Sequence, residues 1–381
     1  MKKLDFIFFD AGGGHRAAAN ALRSVIGQQG RSWEVRMVNL QELLDSLDVF
    51  RKITGIRLQD LYNLMLKRGW TLGSPQLTVG MHLVIRLMHP AQVRMLRRFW
   101  AESRPDLVVS LVPNFNRALG ESLRQALPAT PLVTVLTDLA DYPPRFWMER
   151  QEQFLICGTA RAVEQARSFG HPEHHIFRAS GMILHPRFYE PQELDRAAEC
   201  RRLGFDPDRP IGLVLFGGEG SAAMLPIARR LDAVQLILIC GRNEKLAGRL
   251  RALKRSAPTH VVGFTKEVPF FMRLATFFIG KPGPGSISEA LAMHLPVIVE
   301  RNAWTLPQER YNADWILEQQ VGLVLPNFRR IDQAVAQLLE PGNYARFRAN
   351  AAAVENRAVF EIPEILERIL DSCDTSRSAA S

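Results

Sequence analysis

The chain has 381 residues, of which 47% are hydrophobic and 23% are charged. These values are typical of globular proteins and exclude a disordered chain, a fibre or a coiled coil, while the length predicts about two domains. The 48 Lys and Arg residues outnumber the 39 Asp and Glu residues. Such a surplus favours anionic partners: phosphates, nucleic acid or an acidic membrane surface.

The N-terminal apolar run after Asp5 is short and leads directly into a glycine loop. A signal peptide needs a longer apolar segment, and a membrane-spanning helix needs about 18 consecutive apolar residues. We therefore expect a cytoplasmic protein, or one that is peripheral on the inner membrane face. The four cysteines are far apart and form no CxxC pair, which indicates neither a zinc site nor a disulfide framework.

Short apolar strands alternate with helices along the first half of the chain. A helix is predicted over 15–28, and the predicted strands are 6–9, 35–38, 107–112, 132–136 and 154–157. Continuous apolar strands that alternate with helices indicate a parallel sheet covered on both faces.

A second series of strands follows Pro191, at 211–216, 234–239, 261–264, 277–279 and 296–300. The chain is therefore predicted to hold two doubly wound α/β domains, 1–188 and 189–371, whose boundary is marked by Pro186 and Pro191. The last helices can pack back on the first domain. The Ser- and Ala-rich residues 372–381 are predicted to be a disordered tail.

A long connection between the second and third strands carries helical patterning and much of the excess positive charge. Residues 64–104 contain seven Lys and Arg residues and a single acid, Glu102. Aromatic and aliphatic residues are interleaved with them, which suits an anionic membrane surface. The alternative is a pair of core-packing helices with a solvated basic face. The candidate membrane contacts are Trp70, Arg86, Arg94, Arg97 and Arg98.

The first glycine loop contains Gly12, Gly13 and Gly14, and it connects a strand to a helix. Glycines permit tight turns, and the helix N-terminus offers free N–H groups to an anion. The loop also fits a dinucleotide fingerprint, but that interpretation requires an acid about 20 residues later. Asn39 and Leu40 occupy that place, which argues against a nicotinamide dehydrogenase.

His15 stands at the start of the first helix. The helix dipole favours a neutral imidazole there, and a neutral imidazole can accept a proton from an alcohol. The alternative is a capping or solvent-exposed His. Asp138 and Asp141 lie in a later loop, where they could bind a metal or serve as turn residues.

The second half contains two further glycine loops between a strand and a helix. Gly218 and Gly220 belong to the first of them. In the second, Gly285 and Ser286 can present donors to a phosphate, and Glu289 can reach a ribose. Alternatively, Glu289 is a capping-box partner of Ser286.

A polar cluster precedes the apolar helix that starts near Trp315. It contains Gln308, Glu309 and Asn312, whose amide and carboxylate groups suit the hydroxyls of a sugar. The alternative is simply a polar helix N-terminus.

These motifs run in the order found in family 28 glycosyltransferases, and the sequence most resembles the monogalactosyldiacylglycerol synthase and diacylglycerol glucosyltransferase group. The matching stretches are 12–19, 137–139, 217–220, 262–265, 281–291 and 307–309 with Asn312. The resemblance implies the α/β fold called GT-B, with two Rossmann-like doubly wound domains facing across a cleft. The first would bind the acceptor and the membrane, and the second the nucleotide sugar.

The resemblance also implies an inverting hexosyltransferase that moves a hexose from a UDP-sugar to a lipid such as diacylglycerol. His15 would be the general base, with Asp138 as a possible assistant, and Gly12, Gly13 and Gly14 would form the acceptor or phosphate loop. The nucleotide-sugar site would comprise Gly218, Gly220, Phe264, Gly285, Ser286, Glu289, Gln308, Glu309 and Asn312. No cofactor and no obligatory metal is implied.

Two departures from the family concern the acceptor side. Val112 replaces a His that family members often have, and residues 140–144 also differ. A polyprenyl-linked precursor or a soluble acceptor is therefore an alternative to diacylglycerol. A non-catalytic protein that binds through its basic surface is a further alternative, although no nucleic-acid-binding motif is present and no nucleic acid partner is expected.

Overall fold

The computed structural model describes residues 1–10, 13–44, 74–190 and 193–380. These residues form two compact units. The first contains the described residues up to Pro186 together with those from Asn356 onward, and the second contains those of Arg187–Glu355.

The first unit is built on a six-stranded parallel sheet with the strand order β2-β1-β3-β4-β5-β6. Its strands are β1 (Lys2–Phe8), β2 (Trp33–Asn39), β3 (Leu107–Ser110), β4 (Leu132–Val135), β5 (Phe154–Cys157) and β6 (Ile176–Arg178). The helices described between them are α1 (Gly14–Gln28), α2 (Leu40–Leu44), α3 (Ser74–Ser103), α4 (Asn116–Ala126) and α5 (Ala160–Ser168). The order changes direction between β1 and β3, where such sheets form a crevice at the carboxyl ends of the strands.

The second unit also has a six-stranded parallel sheet, with the order β12-β11-β10-β7-β8-β9. Its strands are β7 (Ile211–Leu215), β8 (Gln235–Ile239), β9 (Thr259–Val262), β10 (Phe277–Gly280), β11 (Val297–Glu300) and β12 (Gly322–Leu325). Its helices are α6 (Arg196–Arg202), α7 (Met224–Arg230), α8 (Glu244–Arg251), α9 (Val268–Leu274), α10 (Pro284–Ala292), α11 (Arg310–Glu318), α12 (Ile331–Leu339) and α13 (Pro341–Ala353). The crevice of this sheet lies between β7 and β10.

The central strands are mostly apolar, as expected for parallel sheets that helices cover on both faces. β3, β4 and β7 are buried along their whole length. The predicted α/β class and doubly wound parallel sheets are therefore confirmed. The sequence prediction missed the edge strands β6 and β12, which have three and four residues.

The predicted disordered tail is wrong for the described residues, because helix α14 (Ala358–Ala380) continues through them. The small Ala and Ser residues continue the helix, since Ala is the strongest helix former. Helix α14 packs on α1 in the first unit, and the Lys2 ammonium lies 2.6 Å from Asp374 Oδ2. The Ser180 N–H donates to Glu361 Oε2 at 2.7 Å. The second unit ends at Glu355, and helix α14 belongs to the first unit, in agreement with the expectation that the last helices can pack back on the first domain.

Helix α3, in the basic segment, has a buried apolar face and an exposed basic face. Its residues Val93, Leu96 and Trp100 are buried, and the Trp100 indole N–H donates to Ser122 Oγ at 2.9 Å. Its basic residues Arg94 and Arg97 are exposed, as is Arg98. Trp70 lies outside the described residues, and so does the side chain of Arg86. Across the described ranges, no helix is both long enough and apolar enough to cross a bilayer.

One ion pair is buried in the first sheet. Asp5 on β1 and Arg36 on β2 are register partners, and the Asp5 side chain is fully buried. Arg36 Nε and Nη2 each donate to one carboxylate oxygen of Asp5, both at 2.7 Å. Burial raises the pKa of Asp5, and the Arg36 guanidinium opposes that rise.

Candidate active site

In the first unit, His15 lies at the crevice between β1 and β3. It is the second residue of α1, which begins after the glycine loop at the end of β1. Its Nδ1 atom lies 3.2 Å from Thr137 Oγ1, which follows β4. The imidazole also makes a hydrogen bond with the backbone of Leu111, which follows β3. The ends of three strands thus position this side chain.

His15 is neutral at physiological pH. Burial lowers its pKa to about 4, and the hydrogen bond with the Leu111 backbone only partly opposes this shift. The neutral state agrees with the prediction, and burial is its largest cause. A neutral imidazole has an unprotonated ring nitrogen that can accept a proton, as a general base requires, and its lowered pKa makes it a weaker base than a solvent-exposed imidazole.

Trp147 connects His15 with Asp138. The ring centroids of His15 and Trp147 are 6.0 Å apart, and the Trp147 indole N–H donates to Asp138 Oδ2 at 2.9 Å. Asp138 is buried. This bond places the Asp138 carboxylate where it orients the indole beside the imidazole.

The loop that carries Trp147 is held by buried polar side chains. The Asp141 carboxylate accepts the backbone N–H groups of Arg145 at 3.0 Å and Trp147 at 2.6 Å. The Asn116 amide donates to the carbonyls of Val112 at 3.1 Å and Trp147 at 2.9 Å. Asp141 therefore serves as a turn residue. The described residues contain no cluster of three or more His, Cys, Asp or Glu side chains suited to a metal ion.

The glycine loop before His15 is only partly described. Gly13 caps α1 with a positive φ of 79°, a conformation that favours glycine, and Gly14 begins the helix. Gly12 lies outside the described residues.

In the second unit, both predicted glycine loops leave adjacent strands. The loop at 216–221 follows β7, the loop at 281–284 follows β10, and these strands pair in parallel. Gly220 has a φ of 62°, and a Cβ atom there would lie 2.7 Å from the Cys240 carbonyl oxygen. Only glycine fits that position. The loop containing Gly218 and the loop before Gly285 thus lie together at the crevice of this sheet.

Helix α10 begins at the second of these loops without a side-chain cap. Gly283 is its N-cap residue, and glycine has no side chain to accept a hydrogen bond from the first turn. The N–H groups of Gly285 and Ser286 belong to that turn, and the space where a Gly285 side chain would stand is open. This arrangement suits an anion. It does not support the capping-box alternative for Ser286 and Glu289.

Glu289 lies one turn further along α10. Within the described residues, its carboxylate has no hydrogen bond or ion pair. Burial raises its pKa to about 7. A desolvated carboxylate without a protein partner, next to an anion-binding helix start, is suited to accept hydrogen bonds from ligand hydroxyls.

The polar cluster before α11 contacts the second glycine loop. The Lys281 ammonium lies 2.6 Å from Glu309 Oε1, and the Asn312 amide donates to the Pro282 carbonyl at 2.8 Å. Glu309 and Asn312 are buried, whereas Gln308 is half-buried. The structure thus brings this cluster together with the loop that starts α10.

Phe264 is 56% exposed, and the Arg242 guanidinium carbon lies 4.6 Å from its ring centroid. Arg242 also lies 3.5 Å from Glu219 of the first glycine loop. An exposed aromatic ring held by a guanidinium offers a flat surface on which a base can stack.

Several site residues were missed because they act through contacts between distant segments. Thr137, Trp147, Arg242 and Lys281 were not proposed for the site from the sequence. Thr137, Arg242 and Lys281 lie just beyond the ends of β4, β8 and β10. Their positions at the carboxyl ends of parallel strands are the sequence signal that could have identified them.

Replacing Glu289 by Gln is expected to stabilise the protein above pH 7. The raised pKa means that the folded state holds this proton more tightly than the unfolded chain. The stability that this tightly held proton gives the folded state is fully present below about pH 4.5 and is lost as the pH rises through about 7. At pH 8 the Gln variant should therefore have a free energy of unfolding about 1–3 kcal/mol higher than the wild type. Urea denaturation at pH 5 and pH 8 measures this, with the exposed Glu193→Gln as control. Equal shifts at both pH values would contradict the prediction.

Comparison with known proteins identifies a family domain in the C-terminal part. Residues 221–367 match the glycosyltransferase family 28 C-terminal domain. The probable chloroplastic monogalactosyldiacylglycerol synthase 2 of Oryza sativa subsp. japonica is 28% identical, with 97% of this chain and 81% of the rice protein covered. The monogalactosyldiacylglycerol synthase 1 of Arabidopsis thaliana is also 28% identical, over 90% of this chain and 66% of its own length.

Solved structures share the fold at low identity. The Staphylococcus aureus MnaA–UDP co-structure has a TM-score of 0.62 and 18% identity, with 98% of this chain and 97% of that one covered. Acinetobacter baumannii MurG has a TM-score of 0.61 and 14% identity, covering 97% and 100%. Anabaena HepE in complex with UDP-glucose has a TM-score of 0.55 and 14% identity, covering 98% and 100%. The C-terminal part of the chain is thus similar to the C-terminal domain of family 28 glycosyltransferases, and the chain has the GT-B fold.

Proposed function

We propose that the protein transfers a hexose from a UDP-sugar to a lipid acceptor such as diacylglycerol, with inversion at the anomeric carbon. The observation that carries this proposal is the geometry of the region in the second unit that would bind the nucleotide sugar. Two glycine loops meet at the crevice of the second sheet, and one turn later follows the carboxylate of Glu289, which has no partner among the residues that the structure describes. The monogalactosyldiacylglycerol synthase relatives and the neighbours solved with UDP or UDP-glucose support the same assignment.

The second unit would hold the donor in three parts. The N–H groups at Gly218, Gly220, Gly285 and Ser286 would surround the diphosphate, since helix starts and glycine loops bind anions. Glu289 would accept the ribose hydroxyls and Phe264 would stack on the base. Gln308, Glu309 and Asn312 would lie against the hydroxyls of the hexose.

The first unit would supply the base. His15 is neutral and could take the proton of the acceptor hydroxyl while its oxygen attacks the anomeric carbon. The bond from that carbon to the diphosphate oxygen breaks as the new glycosidic bond forms on the opposite face, which inverts the configuration. The N–H groups at the start of α10 would stabilise the departing UDP without a metal ion.

The acceptor is proposed to be a lipid because the relatives are named as synthases of a glycolipid. We propose that the protein is cytoplasmic and peripheral on the inner membrane face, which it would contact through the exposed Arg94, Arg97 and Arg98 of α3. Neutralising anionic lipid headgroups is worth about 1 kcal/mol for each such Arg near the surface.

Replacing Arg94, Arg97 and Arg98 together by Gln is expected to weaken binding to vesicles of anionic lipid by about tenfold or more. The same binding should fall with added salt, because exposed charges are screened. Co-sedimentation with vesicles at two salt concentrations measures both effects. The matched control replaces the exposed Arg229, Arg230 and Arg249 of the second unit. If both triple variants lose the same affinity, the effect comes from net charge and α3 is not the membrane contact.

The proposed activity is tested by measuring UDP release from UDP-galactose and UDP-glucose, with and without diacylglycerol in anionic vesicles. Release from one donor only when the lipid is present would support the glycolipid synthase and identify the hexose. Release that does not depend on lipid would contradict the lipid acceptor. Release only with a polyprenyl-linked acceptor would favour the alternative motivated by Val112 and residues 140–144.

A further inference from the structure

The side chain of Lys281 runs along both glycine loops of the second unit. A Cβ atom added to Gly283 would lie 3.4 Å from Lys281 Cε, and one added to Gly217 would lie 3.9 Å from the same atom. The Lys281 ammonium ends 2.6 Å from Glu309 Oε1. A positive charge therefore lies in the region where the two loops would surround a diphosphate.

The partner carboxylate of Lys281 is poorly solvated. The side chain of Glu309 is 10% exposed, whereas that of Lys281 is 38% exposed. A carboxylate at this depth needs a positive partner or hydrogen-bond donors, because an unpaired buried charge is strongly unfavourable. Lys281 supplies that partner and still keeps part of its surface accessible.

The start of α11 contacts the same loop at a second point. The buried Asn312 amide donates to the carbonyl of Pro282, the residue after Lys281. Within the described residues, the Asn312 Oδ1 atom is buried without a hydrogen-bond partner. The segment that would bind the hexose and the loop that would bind the diphosphate are thus joined at two adjacent residues.

We propose that Lys281 is shared between Glu309 and the diphosphate of the donor, an inference that rests on the proposed function. Without donor, the ammonium neutralises Glu309. When the sugar nucleotide is bound, the Lys281 ammonium donates to its diphosphate, which carries more negative charge than one carboxylate. Glu309 then accepts hydrogen bonds from the hydroxyls of the hexose. Recognition of the leaving group is thereby coupled to recognition of the sugar.

The test compares uridine, which lacks phosphate, with UDP. Lys281→Met is expected to lower UDP affinity by about tenfold or more, since it removes a charge-assisted hydrogen bond. Uridine affinity should be unchanged. Lys281→Arg should retain most of the UDP affinity, and the exposed Lys266→Met is the matched control. Isothermal titration calorimetry measures each affinity.

A double variant separates ligand binding from folding. Lys281→Met leaves Glu309 buried without its partner, and adding Glu309→Gln removes that charge. The double variant should recover thermal stability but keep the weakened UDP affinity. Glu309→Gln alone should retain UDP affinity and lose the additional affinity of UDP-hexose over UDP.

An unchanged ratio of UDP to uridine affinity in Lys281→Met, with normal UDP binding by the wild type, would overturn the role of Lys281 only. Equal losses for uridine and UDP would show that Lys281 merely supports the fold. If the wild type bound neither uridine nor UDP, the proposed function itself would fail and Lys281 would lose its proposed ligand.

Discussion

Replacing His15 by Gln is expected to lower the rate of hexose transfer by about 10²–10⁴-fold, the usual contribution of a positioned general base. Gln keeps a polar side chain at the start of α1 but cannot take a proton. UDP affinity should be unchanged, because the proposed donor residues belong to the second unit. UDP release under saturating donor and acceptor, together with calorimetric UDP binding, measures both quantities.

The matched control for this experiment is His174→Gln, which changes an exposed histidine of the same unit. It should transfer hexose at the wild-type rate. The low pKa of His15 also predicts a rate that stays level on lowering the pH until it approaches about 4, as far as His15 is concerned. Full activity of the His15→Gln variant would be incompatible with its role as base and would direct attention to other groups in the crevice.

Replacing Arg36 by Met is expected to lower the free energy of unfolding by about 3–5 kcal/mol, because it leaves Asp5 buried without its partner. Arg36 also donates to the Ser103 carbonyl at 3.1 Å, so that oxygen loses a donor as well. The pKa of Asp5, which burial already raises, should rise further. The loss in the free energy of unfolding should therefore be smallest at low pH, where Asp5 is protonated, and should grow as the pH rises.

Urea denaturation across pH 4 to 8 tests this expectation. The double variant with Asp5→Val and Arg36→Met should recover most of the lost free energy, since replacing a whole buried pair by apolar residues is often neutral. The exposed Arg23→Met is the control on α1. A deficit that is the same at every pH, or that the double variant does not relieve, would show that the pair contributes by packing and not by charge.

The central strands could be predicted because each is a continuous apolar run between turn residues. The edge strands β6 and β12 could not, since each has at most four residues and its pairing depends on a neighbour that is distant in sequence. The tail was misjudged for a related reason. Its composition resembles a disordered segment, but Ala is a strong helix former and Asp374 has a partner in β1.

In the candidate site, too, some features could be predicted from the local sequence and others could not. The glycine loops and His15 are visible in the sequence because their residue types and their place after a strand already indicate anion binding and proton transfer. The pairing of Lys281 with Glu309 joins residues 28 positions apart, and that of Trp147 with Asp138 joins two loop residues through a turn shaped by Asp141. Such contacts depend on the assembled loops and not on local composition.

The packing of α14 on α1 makes the first unit discontinuous in sequence, with Arg187–Glu355 inserted into it. During synthesis the inserted unit emerges whole and can fold while the chain is still being made. The first unit is completed only later, since the helix that packs on α1 is synthesised after the inserted unit. Until then the apolar side of α1 that α14 will cover stays exposed to water, and such exposed surface favours aggregation of a nascent chain.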